Sequence, residues 1–217
     1  MATPAWATLA HWLTLMEALA TLAFALSGLL AAARKQLDAV GVVVVAGLAA
    51  FGGGTLRDVL LERRPFFWVQ HALWLWVLLA LCVAAMLFLR TRHFALTERA
   101  MQWPDALGLG LFTAGGTQMA LAAGMPAIVA VLMGVMSAVF GGVLRDIVCN
   151  EIPSAFSDHR PYAVCSFVGA WVLVVGQQLG WPEGAGLAAA GVTATGLRVA
   201  ALATGWTLPS WRVGAGR

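Results

Sequence analysis

Residues 106–144 run for 39 positions without a charged side chain, and that stretch limits what this chain can become. A helix rises about 1.5 Å per residue, so one membrane crossing takes about 20 apolar residues. The run is nearly two crossings long. Gly124-Met125-Pro126 lies near its middle, and a Gly–Pro break with nothing polar around it marks a tight turn between two helices. Of 217 residues, 61% are hydrophobic and 11% charged, against about 25% charged in soluble domains, and mean hydropathy is +0.84. Lipid is the expected solvent. A secreted disulfide scaffold, a disordered chain and an ordinary cytosolic enzyme are excluded.

The same counting places further spans near 10–33, 39–61, 65–89, 161–182 and 184–204, with the long run divided into 104–122 and 126–149. The expected fold is all-α and integral to the membrane, with seven transmembrane helices in one domain over 1–204 and a short cytoplasmic tail at 205–217. Trp6, Trp12, Trp68, Trp103, Trp181, Trp206 and Trp211 fall near span ends, where indoles favour the interface. Trp74, Trp76 and Trp171 do not, and face lipid or pack. Basic residues set orientation. Arg34, Lys35, Arg90, Arg92, Arg99, Arg160, Arg212 and Arg217 share one side, against Arg63 and Arg64 on the other. The C-terminus is therefore expected in the cytoplasm and the N-terminus outside. No cleavable leader is expected, because the first basic residue is Arg34. A net charge of +3 is too weak to suggest nucleic acid. Cys82, Cys149 and Cys165 read as small core residues. His11, His71, His93 and His159 share no ligand spacing, so no metal and no cofactor is expected.

The chain repeats itself. Gly53-Gly54-Thr55-Leu56-Arg57-Asp58 and Gly141-Gly142-Val143-Leu144-Arg145-Asp146 share five of six residues at an offset of 88, which also carries Pro65 onto Pro153 and Phe24 onto Phe112. Repeat one spans 10–90, repeat two 104–182, and the seventh helix is left over. A unit of three spans reverses direction when repeated, so the expected arrangement is an inverted 3+3 repeat plus one C-terminal helix. Interrupted helices in matching positions point to a transport path between the halves.

The motif admits two readings. Gly52, Gly53 and Gly54 each cost about 1 kcal/mol relative to Ala in a helix. They allow close helix approach, or they break the helix and free carbonyls to line a path. The doubling favours a broken helix. Arg57, Asp58, Arg145 and Asp146 either snorkel to the interface or pair inside the membrane. Sequence neighbours on a helix point about 100° apart, so the symmetric partners are favoured: Arg57 with Asp146, and Arg145 with Asp58. Charge reversal of Arg57 is then expected to be rescued by Asp146→Arg. Glu17 faces the path or the outer interface, and Arg198 snorkels. Ser27-Gly28 matches Gly115-Gly116-Thr117 across the offset; these are close-packing sites first and pore hydroxyls second.

No HExxH, CxxC or P-loop is present, and an enzyme is not expected. At the doubled Gly-Gly-x-Leu-Arg-Asp, followed by Pro65 and Pro153, the chain resembles the bacterial branch of the trimeric intracellular cation (TRIC) channels, a family also labelled as glycine transporters. The resemblance covers nearly the whole chain. It implies a homotrimer in the bacterial inner membrane, a pore through each protomer, kinks at the glycines of spans two and five, and permeant monovalent cations, chiefly potassium. It also implies that Gly52, Gly53, Gly54, Arg57, Asp58, Gly141, Gly142, Arg145 and Asp146 line or gate that pore. Phe140 stands where a third glycine would mirror Gly52. Read from the residues alone, a cation channel and a transporter for a zwitterion such as glycine are close, since Arg can hold a carboxylate and Asp an ammonium. The resemblance favours the channel.

Overall fold

Lipid offers the backbone no hydrogen bonds, so apolar segments must satisfy their own amides as helices. A computed structural model describes residues 5–88, 98–157 and 159–209. Among these the chain forms α1 (Ala5–Arg34), α2 (Ala39–Leu60), α3 (Phe67–Gln70), α4 (Leu73–Phe88), α5 (Glu98–Ala122), α6 (Ala127–Val148), α7 (Ser154–Ser157), α8 (Ala163–Gln178) and α9 (Glu183–Thr204). Four of them, α1, α2, α6 and α9, are long and apolar enough to cross a membrane; α4 and α8 are shorter apolar helices. Arg90, Arg92, His93, Trp211, Arg212 and Arg217, used above to place loops and span ends, lie outside the described residues, as do the side chains of Trp6 and Arg99.

Local chemistry sets the ends. Asp38 caps α2 by accepting from Gly41 N at 2.7 Å. Gly124 (φ +75°) turns α5 into α6, with Met125 N returning to Ala120 O, so the expected Gly–Pro turn is present. The third span, expected as one helix over 65–89, is two helices with a turn at His71-Ala72. Its start is held back by α2, because Phe67 N donates to Asp58 Oδ2 at 3.2 Å. Asp146 treats α7 the same way, accepting from Ser154 N at 2.8 Å and Ser154 Oγ at 3.0 Å.

α1, α2, α5 and α6 form the centre; α8 and α9 pack on α5, and α4 on α2 and α1. Across the centre the 88-residue offset reappears as contacts. Phe24 and Phe112 stack with centroids 5.6 Å apart, both buried. A Cβ at Gly53 would lie 2.0 Å from Ser137 O, and one at Gly141 would lie 2.4 Å from Ala49 O. Gly28 abuts Ala46 as Gly116 abuts Gly134. Because Gly53 meets Ser137 while Ala49 meets Gly141, α2 and α6 run antiparallel, and their C-terminal ends lie at opposite ends of the bundle.

These contacts correct the broken-helix reading. α2 and α6 are continuous through their glycines. Gly53 and Gly141 are there because backbone meets backbone, leaving no room for a methyl group. Gly53→Ala and Gly141→Ala are each expected to destabilise the protein by about 1–3 kcal/mol through overpacking. Gly196→Ala, whose Cβ meets nothing within 4 Å, is expected to leave the melting temperature in detergent unchanged or raised.

Candidate functional site

Each half of the chain buries one arginine between two carboxylates. Arg57 on α2 is fully buried; its Nε and Nη2 donate to Asp58 Oδ1 at 2.9 and 2.7 Å, and Nη2 also donates to Glu17 Oε1 from α1. Arg145 on α6 repeats the pattern. Its Nε donates to Asp146 Oδ1 at 2.8 Å, and its Nη1 to Asp105 Oδ1 from α5 at 2.5 Å. Glu17 and Asp105 are themselves 88 positions apart. The clusters are therefore one device used twice, each drawing its second carboxylate from the first long helix of its own half.

Crossed pairing across the halves does not occur, and the reason is topological. Arg57 and Arg145 lie one turn from the C-terminal ends of antiparallel helices, so each is remote from the other's aspartate. The objection to sequence neighbours also fails. A guanidinium on a long flexible stem turns back onto the adjacent carboxylate, which a short side chain could not do. Snorkelling is excluded for both motifs by their burial. Arg198 does not snorkel either: it is 2% exposed, lies 4.8 Å over the Tyr162 ring and donates to Pro161 O at 3.2 Å.

The two ends differ in closure. At the Arg145 end, Tyr162 is buried and donates to Asp105 Oδ2 at 2.6 Å. Ser27 reaches across from α1, accepting from Arg145 Nη1 at 2.5 Å and donating to Asp105 Oδ1 at 3.3 Å. At the Arg57 end, Glu17 and Asp58 instead border a polar cavity of about 300 Å³ that Thr14, Arg63, Gln70, His71 and Met119 also line. Arg63 stands in that lining, 3.9 Å from Asp58 Oδ1, and donates to Met119 Sδ at 2.8 Å. Outside the spans, Glu151 joins Arg34 at 2.5 Å and Lys35 at 2.8 Å. Partial burial raises its carboxyl, but the two cations hold it below the ordinary carboxylate range.

The remaining predicted positions divide. Gly54 and Gly142 lie beside the two guanidinium groups, and Gly52 faces Leu144 on an apolar groove between α2 and α6. Gly116 is a packing site against Ser137, while Gly115, expected to pack, has no neighbour within 4 Å of a Cβ. Thr117 is buried against Gly134. Asp105 and Tyr162 were missed. The offset applied to Glu17 points to Asp105. Tyr162 carries no repeat signal, because Trp74 occupies its counterpart position.

A family model described as glycine transporter matches the chain twice, at residues 14–90 and 102–178, stretches that are again 88 positions apart. A UPF0126 membrane protein of Vibrio cholerae is 32% identical over 92% of this chain and 82% of its own length. The UPF0126 inner membrane protein YadS of Escherichia coli is 33% identical over 76% of this chain and 77% of its own. Among solved structures, the TRIC trimeric intracellular cation channel orthologue of Rhodobacter sphaeroides matches with a TM-score of 0.83 at 32% identity, over 89% of this chain and 98% of that one. A second match, from work on conductance through TRIC cation channels, has a TM-score of 0.81 at 28% identity over 93% and 98%.

Removing one member of a buried ion pair strands the other, at about 3–5 kcal/mol. Arg57→Glu is expected to lower thermal stability by that order, and adding Glu17→Arg to recover part of it. Arg57→Asp with Asp146→Arg is expected to recover nothing, read as melting temperature in detergent.

Proposed function

The chain belongs to the glycine transporter family, whose members include the bacterial TRIC channels, and on that premise we propose that it is a monovalent cation channel conducting potassium. The observation that carries this reading is the unequal pair of buried clusters. One opens into a polar cavity lined by Glu17 and Asp58; the other is shut by Tyr162 and Ser27. An ion path needs oxygens that hold a cation weakly enough to release it. Glu17 and Asp58 face that cavity beside Arg57 and Arg63, as Asp105 and Asp146 flank Arg145 at the other end. Carboxylate oxygens at the cavity wall are the ligands a passing cation needs.

In this reading the path runs through each protomer between two inverted three-span halves, 10–90 and 104–182, with the seventh span at 184–204 outside them. Glu17, Arg57 and Asp58 form its outer station, and Arg145 and Asp146, with Asp105, its inner one. Ser27 belongs to the inner station through Arg145 and Asp105, and Gly115, Gly116 and Thr117 stand between the stations. Gly53 and Gly141 hold α2 against α6, Gly52 faces Leu144 beside that seam, and Gly54 and Gly142 leave space next to the two guanidinium groups. The proposal includes a homotrimer in the bacterial inner membrane, N-terminus outside and C-terminus in the cytoplasm. No cofactor enters the scheme, and the permeant cation is the substrate.

The test is a planar bilayer holding the purified protein under a potassium chloride gradient. Discrete current steps reversing near the potassium equilibrium potential are expected. Tyr162→Phe removes one hydrogen bond to a charged group, worth about 1.5–3 kcal/mol, and is expected to raise open probability roughly tenfold or more. A silent bilayer together with glycine uptake into matched liposomes would overturn the channel and make Arg57 and Arg145 substrate ligands.

A further inference from the structure

The two clusters use one architecture but differ by two hydroxyl groups, those of Tyr162 and Ser27, and only Ser27 touches the guanidinium. Ser27 supplies its hydroxyl to the Arg145 cluster. Its repeat counterpart beside the Arg57 cluster is Gly115, which has no side chain to offer. Arg57 Nη1 is without a hydrogen-bond partner among the described residues, although the guanidinium is fully buried. Gly115 is also buried, yet outside its own turns of helix no described atom lies within 4 Å of where its Cβ would stand. Its neighbour Gly116, by contrast, has Ser137 Oγ at 2.7 Å.

The position of this space follows from α5. Phe112, Gly115 and Met119 lie at i, i+3 and i+7 and so share one face. Phe112 Cε1 and Arg57 Nη2 lie 3.9 and 3.8 Å from a common point beside Gly54. Met119 lines the polar cavity together with Glu17 and Asp58. Gly115 therefore faces space lying between the Arg57 guanidinium and that cavity. Thr21, one turn beyond Glu17 on α1, brings another buried hydroxyl without a partner among the described residues.

We propose that the space between Gly115 and Arg57 is a binding site for one water molecule that takes the place of the Ser27 hydroxyl. The chemistry selects the occupant. It must accept from Arg57 Nη1, which a cation cannot do. It would lie against a guanidinium already held by the Glu17 and Asp58 carboxylates, which oppose an anion. It must also donate to a carboxylate, as Ser27 does to Asp105. Water does both, and a buried water needs only two to four polar partners. The consequence is a wet Arg57 end in exchange with the cavity and a dry Arg145 end closed by protein groups. This holds whether or not the chain conducts ions.

Gly115→Ala separates water from void by the sign of its effect. A methyl group there meets no atom outside its own turns of helix, so a dry space leaves only the gain in helix propensity, and the melting temperature rises as it does for Gly196→Ala. Displacing a bound water orphans Arg57 Nη1, and the melting temperature falls below that of the unaltered protein. Gly115→Ser restores the hydroxyl and is expected to melt above Gly115→Ala. A high-resolution crystal structure of the unaltered protein is expected to show a density peak about 2.7–3.2 Å from Arg57 Nη1. A rise in Gly115→Ala, or no such peak, would overturn the proposal.

Discussion

Backbone contact between α2 and α6 is the constraint from which the rest of the structure follows. Gly53 against Ser137 O and Gly141 against Ala49 O bring the two helices to a separation that no side chain permits. In lipid, helix association relies on such close packing, because apolar side chains gain little by leaving hydrocarbon for protein. The helices meet antiparallel in this contact, which sends their Arg-Asp pairs to opposite ends. It also places the Phe24–Phe112 stack at the middle of the bundle. Each end must then neutralise its own arginine.

That requirement explains Glu17 and Asp105. An unpaired guanidinium at membrane depth is expensive, and one aspartate cannot satisfy all its donors. A second carboxylate from α1 or α5 completes the neutralisation. The aspartates act twice, since Asp58 and Asp146 use their outer oxygens to start the short helices α3 and α7. Charge pairing and helix start are thus coupled at both ends. The inequality between the ends, a cavity at one and Tyr162 at the other, is superposed on this common plan.

Much of the fold was legible in the sequence because lipid imposes a length and an apolar composition on every crossing. The Gly–Pro turn at 124–126, the ends of α2, α6 and α9, and the buried cysteines all follow from local chemistry. The division of the third span was not legible. It depends on Asp58 holding Phe67 N, a contact between segments rather than a property of either. The crossed ion pairs were misplaced for a related reason. The antiparallel run of α2 and α6 separates them: motifs at the same position in antiparallel helices lie at opposite ends.

The sequence by itself determined that the chain is a membrane protein, that it is a duplication, and which arginines and aspartates carry its buried charge. These are consequences of composition and of an 88-residue offset, which any reading of the chain exposes. Only the tertiary structure decided whether the glycines bend a helix or admit a neighbour, because both uses ask for the same residue. It likewise decided which carboxylate each arginine takes and which end is closed. Those depend on distances between helices remote in sequence, and Tyr162 reaches Asp105 only because α8 is folded back onto α5.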